Sequence, residues 1–329
     1  MKKILSSLSL PEEVAAKFRD EFILEYPKED IVLSPEVLIK KIVDADGYLG
    51  LMMNRDMIDA AEKLVIASSF GAGYDGFDYQ YAGEKGIWVM NAPNATTEPT
   101  AELTITLLLC LSRRILNFNR FLKKRGACGG ISYFVYPFDS APAPTPVHGK
   151  TLGIVGFGKI GQAVAKKAKG LGMDIVYYDV YRLPAETEKE LDVTYAPFET
   201  LLKTADYVTL HCMYTPENHH LMDAEQFGLM KPTAYFINAA RGKLMNEKAL
   251  VDALKQEKIL GAAIDVFEQE PQITQELLEM ENVVLTPHIG TSTHESRVKM
   301  AIDALSGIAA QLRGGESPTI VNREFYKAK

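Results

Sequence analysis

Cysteine is scarce: Cys110, Cys128 and Cys212 are the only three in 329 residues, widely separated and odd in number. Their spacing suits neither a disulfide framework nor a thiolate metal centre, so reduced thiols of a cytoplasmic protein are the expectation. Cationic runs are scarce too. None exceeds Lys123-Lys124-Arg125, and 36 Lys and Arg against 43 Asp and Glu leave a net charge of −7. That balance argues against a nucleic-acid partner. Long apolar runs are missing. The longest, residues 103–111, holds two Thr residues and falls far short of the ~20 residues a membrane span needs. The apolar residues 4–10 are broken by Ser and end at Pro11-Glu12-Glu13 with no small-residue cleavage site. A first strand and a helix are expected there rather than a signal peptide. There is no repeat and no low-complexity segment.

What is present is an ordinary globular composition, 47% hydrophobic, over a length that suits two domains. Short apolar runs alternate with amphipathic stretches, the pattern of parallel sheets covered by helices. Beyond the first strand, the early strand candidates are 48–51, 64–68 and 87–90, with helical spacing at 35–42. One long helix is expected from residue 100 towards 121, then a Gly/Pro/aromatic loop over 126–146. Six further strands are predicted at 152–155, 174–178, 207–210, 234–238, 261–265 and 282–285, with a last helix at 295–312. The expectation is an α/β protein of two Rossmann-like or flavodoxin-like domains with parallel sheets and a cleft between them. Residues 1–99 and 293–329 would form one domain, and 100–292 the other.

Gly156-Phe157-Gly158-Lys159-Ile160-Gly161 is a G-x-G-x-x-G between a predicted strand and a predicted helix. A second strand follows and ends in an acid, Asp179, 18 positions past Gly161. Each part has a physical purpose in a dinucleotide site. Gly156 permits the tight turn, Gly158 lets a pyrophosphate approach the backbone, and Gly161 lets helix and strand pack closely. Amides around Lys159 and Ile160 face the phosphate at the helix N-terminus, and Asp179 accepts from the adenosine ribose. A carboxylate there repels a 2′-phosphate, so NAD(H) is expected over NADP(H). Arg182, three residues on, is the group that could accommodate that phosphate instead.

Three chemistry-bearing residues follow strand candidates of the second block: Arg241 in Asn238-Ala239-Ala240-Arg241-Gly242, Glu270 before Pro271, and His288 in Thr286-Pro287-His288-Ile289-Gly290. Carbonyl reduction by a nicotinamide needs a proton donor near neutral pH, a cation for an anionic substrate, and a carboxylate that steers the donor. His, Arg and Glu meet those needs. Of the other histidines, His148, His219, His220 and His294 lie in connectors or near a helix start, and His211 follows a strand.

With these motifs the chain resembles the D-isomer-specific 2-hydroxyacid dehydrogenases. The resemblance runs from Gly71-Ala72-Gly73-Tyr74-Asp75 through Asn91-Ala92-Pro93, Ala101-Glu102 and the glycine loop. It continues with Asn238-Ala239-Ala240-Arg241-Gly242, residues 261–267, Glu270-Pro271 and the His288 motif. It implies that Arg241 binds the substrate carboxylate and polarises its 2-oxo group, that Glu270 pairs with His288, and that His288 is the acid/base. Hydride would pass from the nicotinamide to the carbonyl carbon as His288 protonates the oxygen, with no metal required. It further implies that the amides of Ala72 and Gly73 hold the substrate carboxylate, and that Asp265 and the main chain at Ala239 contact the carboxamide. Thr97 would lie against the cofactor. Cys212 and Asn218 would belong to its lining, in a segment that departs from the family pattern at Met213, where Pro is usual. The family usually dimerises through the nucleotide domain, so a homodimer contacting through the helix from residue 100 is expected.

The segment Gly50-Leu51-Met52-Met53 offers no cation for a phosphate and little hydroxyl chemistry. Leu51 and Met52 are expected to face the substrate side chain, with Tyr133-Phe134-Val135-Tyr136-Pro137-Phe138 as a further wall. This favours apolar or aromatic 2-oxo acids such as phenylpyruvate. The alternatives are glyoxylate/hydroxypyruvate reduction or D-lactate dehydrogenation. An NAD-binding corepressor belongs to a different class; the expectation against it is the absence of long disordered tails, and with a short tail past the last helix no C-terminal sensing domain is expected.

Overall fold

Among the described residues every strand runs parallel to its neighbours, in two separate sheets. The structure, a computed structural model, describes residues 1–29, 31–125 and 143–328. Cys128 and the aromatic stretch at 133–138 lie outside the described residues. The chain divides into two units, Met1–Pro99 with Thr291–Lys329, and Thr100–Gly290.

In the first unit β1 (Lys2–Ser6), β2 (Phe22–Glu25), β3 (Gly47–Gly50), β4 (Ile66–Ser69) and β5 (Trp88–Met90) pair in the order β2-β1-β3-β4-β5. That is a flavodoxin-like order. All four residues of β3 and of β4 are buried, as expected of strands covered on both faces. The helix His294–Leu312 lies against β3 and β4 with Ala301, Ala304, Leu305 and Ile308 fully buried. Glycine permits the approach: a Cβ on Gly47 would come within 2.6 Å of Ile308 Cγ2. Strand β3 stops at Gly50, so Leu51 leaves the predicted strand and is 52% exposed. Strand β2 was not anticipated. It is a four-residue edge with Ile23 exposed and Glu25 paired to Lys3, too short and too mixed to show a period.

The second unit carries β6 (Thr151–Val155), β7 (Asp174–Tyr178), β8 (Thr194–Tyr195), β9 (Tyr207–Leu210), β10 (Tyr235–Asn238), β11 (Gly261–Ile264) and β12 (Val283–Leu285), in the order β12-β11-β10-β9-β6-β7-β8. The chain reverses its direction of travel across the sheet between β6 and β9. The C-terminal ends of strands at such a switch point form a ligand crevice. The long helix predicted before this sheet is two helices, Thr97–Ser112 and Ile115–Arg125. Arg114 turns left-handed (φ 49°), and the Ser112 carbonyl accepts Thr145 N–H instead of continuing a helical ladder. Apolar spacing carries on through the break, which is why the sequence conceals it.

Candidate active site

Strand β6 delivers the glycine loop to the crevice. Gly156 sits at φ +91°, and a Cβ there would lie 2.3 Å from Cys212 N and 2.6 Å from the His211 carbonyl carbon. Only glycine fits both demands. A Cβ on Gly161 would lie 2.3 Å from the Gly156 carbonyl oxygen, so helix Lys159–Gly170 packs directly on the turn. Gly158 caps that helix and faces open space, with Lys159 exposed and Ile160 half-buried behind it. Open backbone at the positive end of a 12-residue helix fits a pyrophosphate.

Asp179 follows β7 and closes on this loop. Its Oδ2 accepts Phe157 N–H at 2.6 Å and its Oδ1 accepts Tyr181 N–H at 2.9 Å. Arg182 does not face the loop as a loose cation. It forks onto Glu188 with two 2.9 Å bonds and lies over the Tyr195 ring. That Arg182 fork, with the Tyr177 hydroxyl, draws the Glu188 carboxyl down to about 2.

Cys212 touches the glycine loop, and burial pushes its thiol up to about 11. Asn218 closes its own turn: its amide accepts from Thr215 N–H and donates to the Met213 carbonyl, both at 2.7 Å. Met213 itself is 66% exposed. His211 is held neutral, because burial pushes its imidazole down to about 3.

The three residues singled out for chemistry meet beyond β10, β11 and β12. His288 Nδ1 lies 2.9 Å from Glu270 Oε2, while Glu270 Oε1 accepts Phe267 N–H at 2.9 Å. The bond to Glu270, reinforced by that residue's charge, raises the His288 pKa against the opposing effects of burial and Arg241. Burial pushes Glu270 upward, yet His288, the Phe267 amide and Arg241 together hold it below its ordinary value. Among the described residues none is bonded to His288 Nε2. Arg241 donates to the Ala240 carbonyl at 2.7 Å and bears on both members of the pair. Its turn approaches theirs through Gly242, where a Cβ would lie 2.0 Å from the Phe267 carbonyl.

Two buried residues shape these turns through bonds that no sequence pattern reveals. Asn238 takes Ala240 N–H and donates to the Arg241 carbonyl, folding the turn that includes the buried Ala239. Asp265 is fully buried. Its Oδ1 accepts the Thr286 hydroxyl at 2.6 Å and Ile289 N–H at 2.8 Å, and its Oδ2 accepts Gly290 N–H at 3.0 Å. His288 N–H also bonds to the Asp265 carbonyl, which secures the residue in its left-handed conformation (φ 52°). Burial raises the Asp265 pKa against these bonds.

Donor atoms of His219, His220 and Glu268 fall within 4.8 Å of one another. The two rings are stacked at 3.8 Å with planes 25° apart, so their in-plane lone pairs run side by side and do not converge on one ion. His220 Nε2 is bonded to Glu268 at 2.7 Å.

In the first unit the carbonyls of Gly71, Ala72 and Gly73 accept from Ala92 N–H, Asn91 Nδ2 and Ser69 Oγ. Among the described residues nothing accepts from the N–H of Ala72 or Gly73. Met52 is half-buried, its carbonyl held by the Tyr48 hydroxyl at 3.0 Å. Thr97 opens its helix, half-buried.

A glycine turn at the switch point of a parallel sheet, with an acid after the second strand and a His–Glu pair after the last ones, defines a dinucleotide-binding oxidoreductase. Comparison narrows the class. The family model described as D-isomer specific 2-hydroxyacid dehydrogenase, NAD binding domain, matches residues 105–290. A Staphylococcus aureus protein named as a 2-hydroxyacid dehydrogenase is 39% identical over 325 residues, 98% of this chain and 100% of the relative. The holo structure of Rhodotorula graminis D-mandelate dehydrogenase superposes with TM-score 0.85 at 28% identity, covering 98% of each chain. A Paecilomyces thermophila glyoxylate reductase superposes with TM-score 0.83 at 27% identity, covering 98% of this chain and 99% of the other. The chain belongs to the D-isomer-specific 2-hydroxyacid dehydrogenases, enzymes that bind NAD(H).

Proposed function

We propose that this dehydrogenase reduces apolar or aromatic 2-oxo acids to D-2-hydroxy acids, with NADH preferred to NADPH. The observation that carries the chemistry is the division of His288: Nδ1 faces Glu270, and Nε2 is left for a substrate. A bound nicotinamide supplies hydride equivalents to the carbonyl carbon. His288, whose protonated form Glu270 favours, gives its Nε2 proton to the 2-oxo oxygen. Arg241 pairs with the substrate carboxylate and stabilises negative charge growing on that oxygen. The N–H groups of Ala72 and Gly73 are donors we assign to substrate binding.

For the cofactor, Gly156, Gly158, Lys159, Ile160 and Gly161 cradle the pyrophosphate, and Asp179 takes the ribose hydroxyls through its remaining lone pairs. The Arg182–Glu188 fork supports NADH, since the cation that could greet a 2′-phosphate is already committed. Cys212, Ala239, Asp265 and Thr97 line the cofactor; Asn218 shapes the turn beside it. The exposed Ile115, Leu116, Phe121 and Leu122 of helix Ile115–Arg125 are the surface we assign to a homodimer. Among the described residues no helix is long and apolar enough to cross a membrane. The free thiols Cys110 and Cys212 suit the cytoplasm.

The exposed Leu51 beside Met52 favours an apolar substrate side chain, in keeping with the likeness to D-mandelate dehydrogenase. The likeness to a glyoxylate reductase favours a second reading, a small 2-oxo acid. Values of kcat/KM for phenylpyruvate, glyoxylate and hydroxypyruvate with NADH decide between them: a higher value for phenylpyruvate supports the first, a higher value for either small acid the second.

A further inference from the structure

The turn that carries Glu270 is tied at both ends to one carboxylate. Glu247, the first residue of helix Glu247–Lys255, is 6% exposed. Its Oε1 accepts Glu268 N–H at 2.5 Å, and its Oε2 accepts the Thr274 hydroxyl. Glu268 answers through Oε2, 3.5 Å from Glu247 N–H, and its Oε1 is bonded to His220. Glu270 lies between the two anchors, held within the turn by Phe267 N–H. A carboxylate is removed from water only at a cost, and aligned donors at both oxygens offset it. Nothing else in the helix needs that carboxylate, since Asn246 already caps it by accepting from Ala249 N–H.

We infer that Glu247 is a positioning residue for the reaction: it fixes the turn 268–274 so that Glu270 Oε2 meets His288 Nδ1. The inference rests on the reading of His288 as the acid and Glu270 as its partner. Without the Glu247 carboxylate, Glu268 N–H and the Thr274 hydroxyl lose their acceptors in a buried place, and the turn must rearrange to find others. Glu270 then swings from His288, which is left facing Arg241 and Asp265 alone.

The test uses full-length enzyme with NADH and a 2-oxo acid, comparing Glu247→Ala, Glu247→Gln, Thr274→Val, Glu270→Gln and the double variant Glu247→Ala/Glu270→Gln. Glu247→Ala should lower kcat about tenfold or more and move the alkaline limb of the kcat/KM profile to lower pH, as Glu270→Gln does. The KM for NADH should stay unchanged. The double variant should be no worse than Glu270→Gln, because both changes remove one interaction. Glu247→Gln, which still offers Glu268 an acceptor and Thr274 a partner, should recover most of the loss. Thr274→Val keeps one anchor and should shift the limb part of the way; it carries the test if Glu247→Ala does not fold. A shifted limb in Glu270→Gln beside an unshifted one in Glu247→Ala and Thr274→Val overturns this inference alone. Additive losses in the double variant do the same. A Glu270→Gln profile like that of the unaltered enzyme overturns the His288–Glu270 reading and this inference with it.

Discussion

Two histidine–glutamate pairs share one turn, and we assign proton transfer to only one of them. Glu268 binds His220 at 2.7 Å, and Glu270, two residues on, binds His288 at 2.9 Å. Both histidines are left-handed, at φ 55° and 52°. The difference lies in the nitrogen used and the company kept. His220 meets its glutamate through Nε2, with its ring stacked on His219 and its glutamate bound back to Glu247. His288 meets its glutamate through Nδ1, and Arg241 bears on the pair. A carboxylate lies within hydrogen-bond distance of either ring, so the pair as such is not diagnostic. What distinguishes an acid–base group is which nitrogen remains, and whether a substrate-binding cation faces it.

The largest contrast between the pairs should appear in kcat. His288→Asn removes the proton donor and should lower kcat by ~10²–10⁴-fold, with NADH affinity little changed. His220→Gln should stay within about tenfold of the unaltered enzyme, because it loses only a link in the support of the turn. Equal losses in steady-state assays would erase the distinction. Arg241→Lys comes next. It keeps the charge but loses the planar fork, and should remain impaired by ~10²-fold in kcat/KM. Full activity with Lys would show that bidentate binding is not needed.

The pH profile sharpens the comparison. Glu270 holds the His288 pKa above its ordinary 6.5. If His288 is the proton donor, as proposed, reduction needs its protonated form, so activity should be full below the raised pKa and lost as pH rises through it. Glu270→Gln lowers that pKa, and the loss should begin at lower pH than in the unaltered enzyme. Glu268→Gln should move the limb less than Glu270→Gln does. The reverse order would assign the pairs the wrong way round.

How much of this the sequence carried depended on what kind of signal each feature leaves. Six strands of the second sheet, the edge strand β12 among them, were legible because they read as short apolar runs between turn residues. The edge strands β2 and β8 were not, since four and two residues leave no period. The break at Arg114 was hidden because tertiary bonds, not composition, make it. Arg241, Glu270 and His288 could be picked out because each follows a strand and has a reactive side chain. Glu247 and Asp265 could not be read the same way. Their roles come from a geometry that joins segments about twenty residues apart, visible only when the donors around each carboxylate are known.

Cofactor choice tests the opposite end of the unit from the histidine pairs. Asp179→Ala removes a charged acceptor and should weaken NADH binding about tenfold, narrowing the preference over NADPH. Paired Kd values for the two cofactors by fluorescence would show it. Adding Glu188→Gln frees the Arg182 fork and should narrow the preference further. A protein that prefers NADPH without any change would overturn the assignment of Asp179.

The smallest effect belongs to the substrate side chain, because nothing there is charged. Strand β3 ends at Gly50, and Leu51 stands 52% exposed just beyond it, next to Met52, whose carbonyl the Tyr48 hydroxyl holds. An apolar group left in water at that point has most to gain from an apolar partner. Leu51→Ala removes three carbons that were only half-covered to begin with. At ~0.8 kcal/mol for each buried methylene, the change is worth roughly four- to tenfold. It should fall on phenylpyruvate and leave glyoxylate untouched, since glyoxylate has no side chain to contact Leu51. The ratio of the two kcat/KM values is therefore the measurement, with stability and NADH affinity cancelling between them. A ratio unmoved by Leu51→Ala would detach this residue from substrate choice, while His288, Arg241 and Glu270 would keep their roles on either substrate.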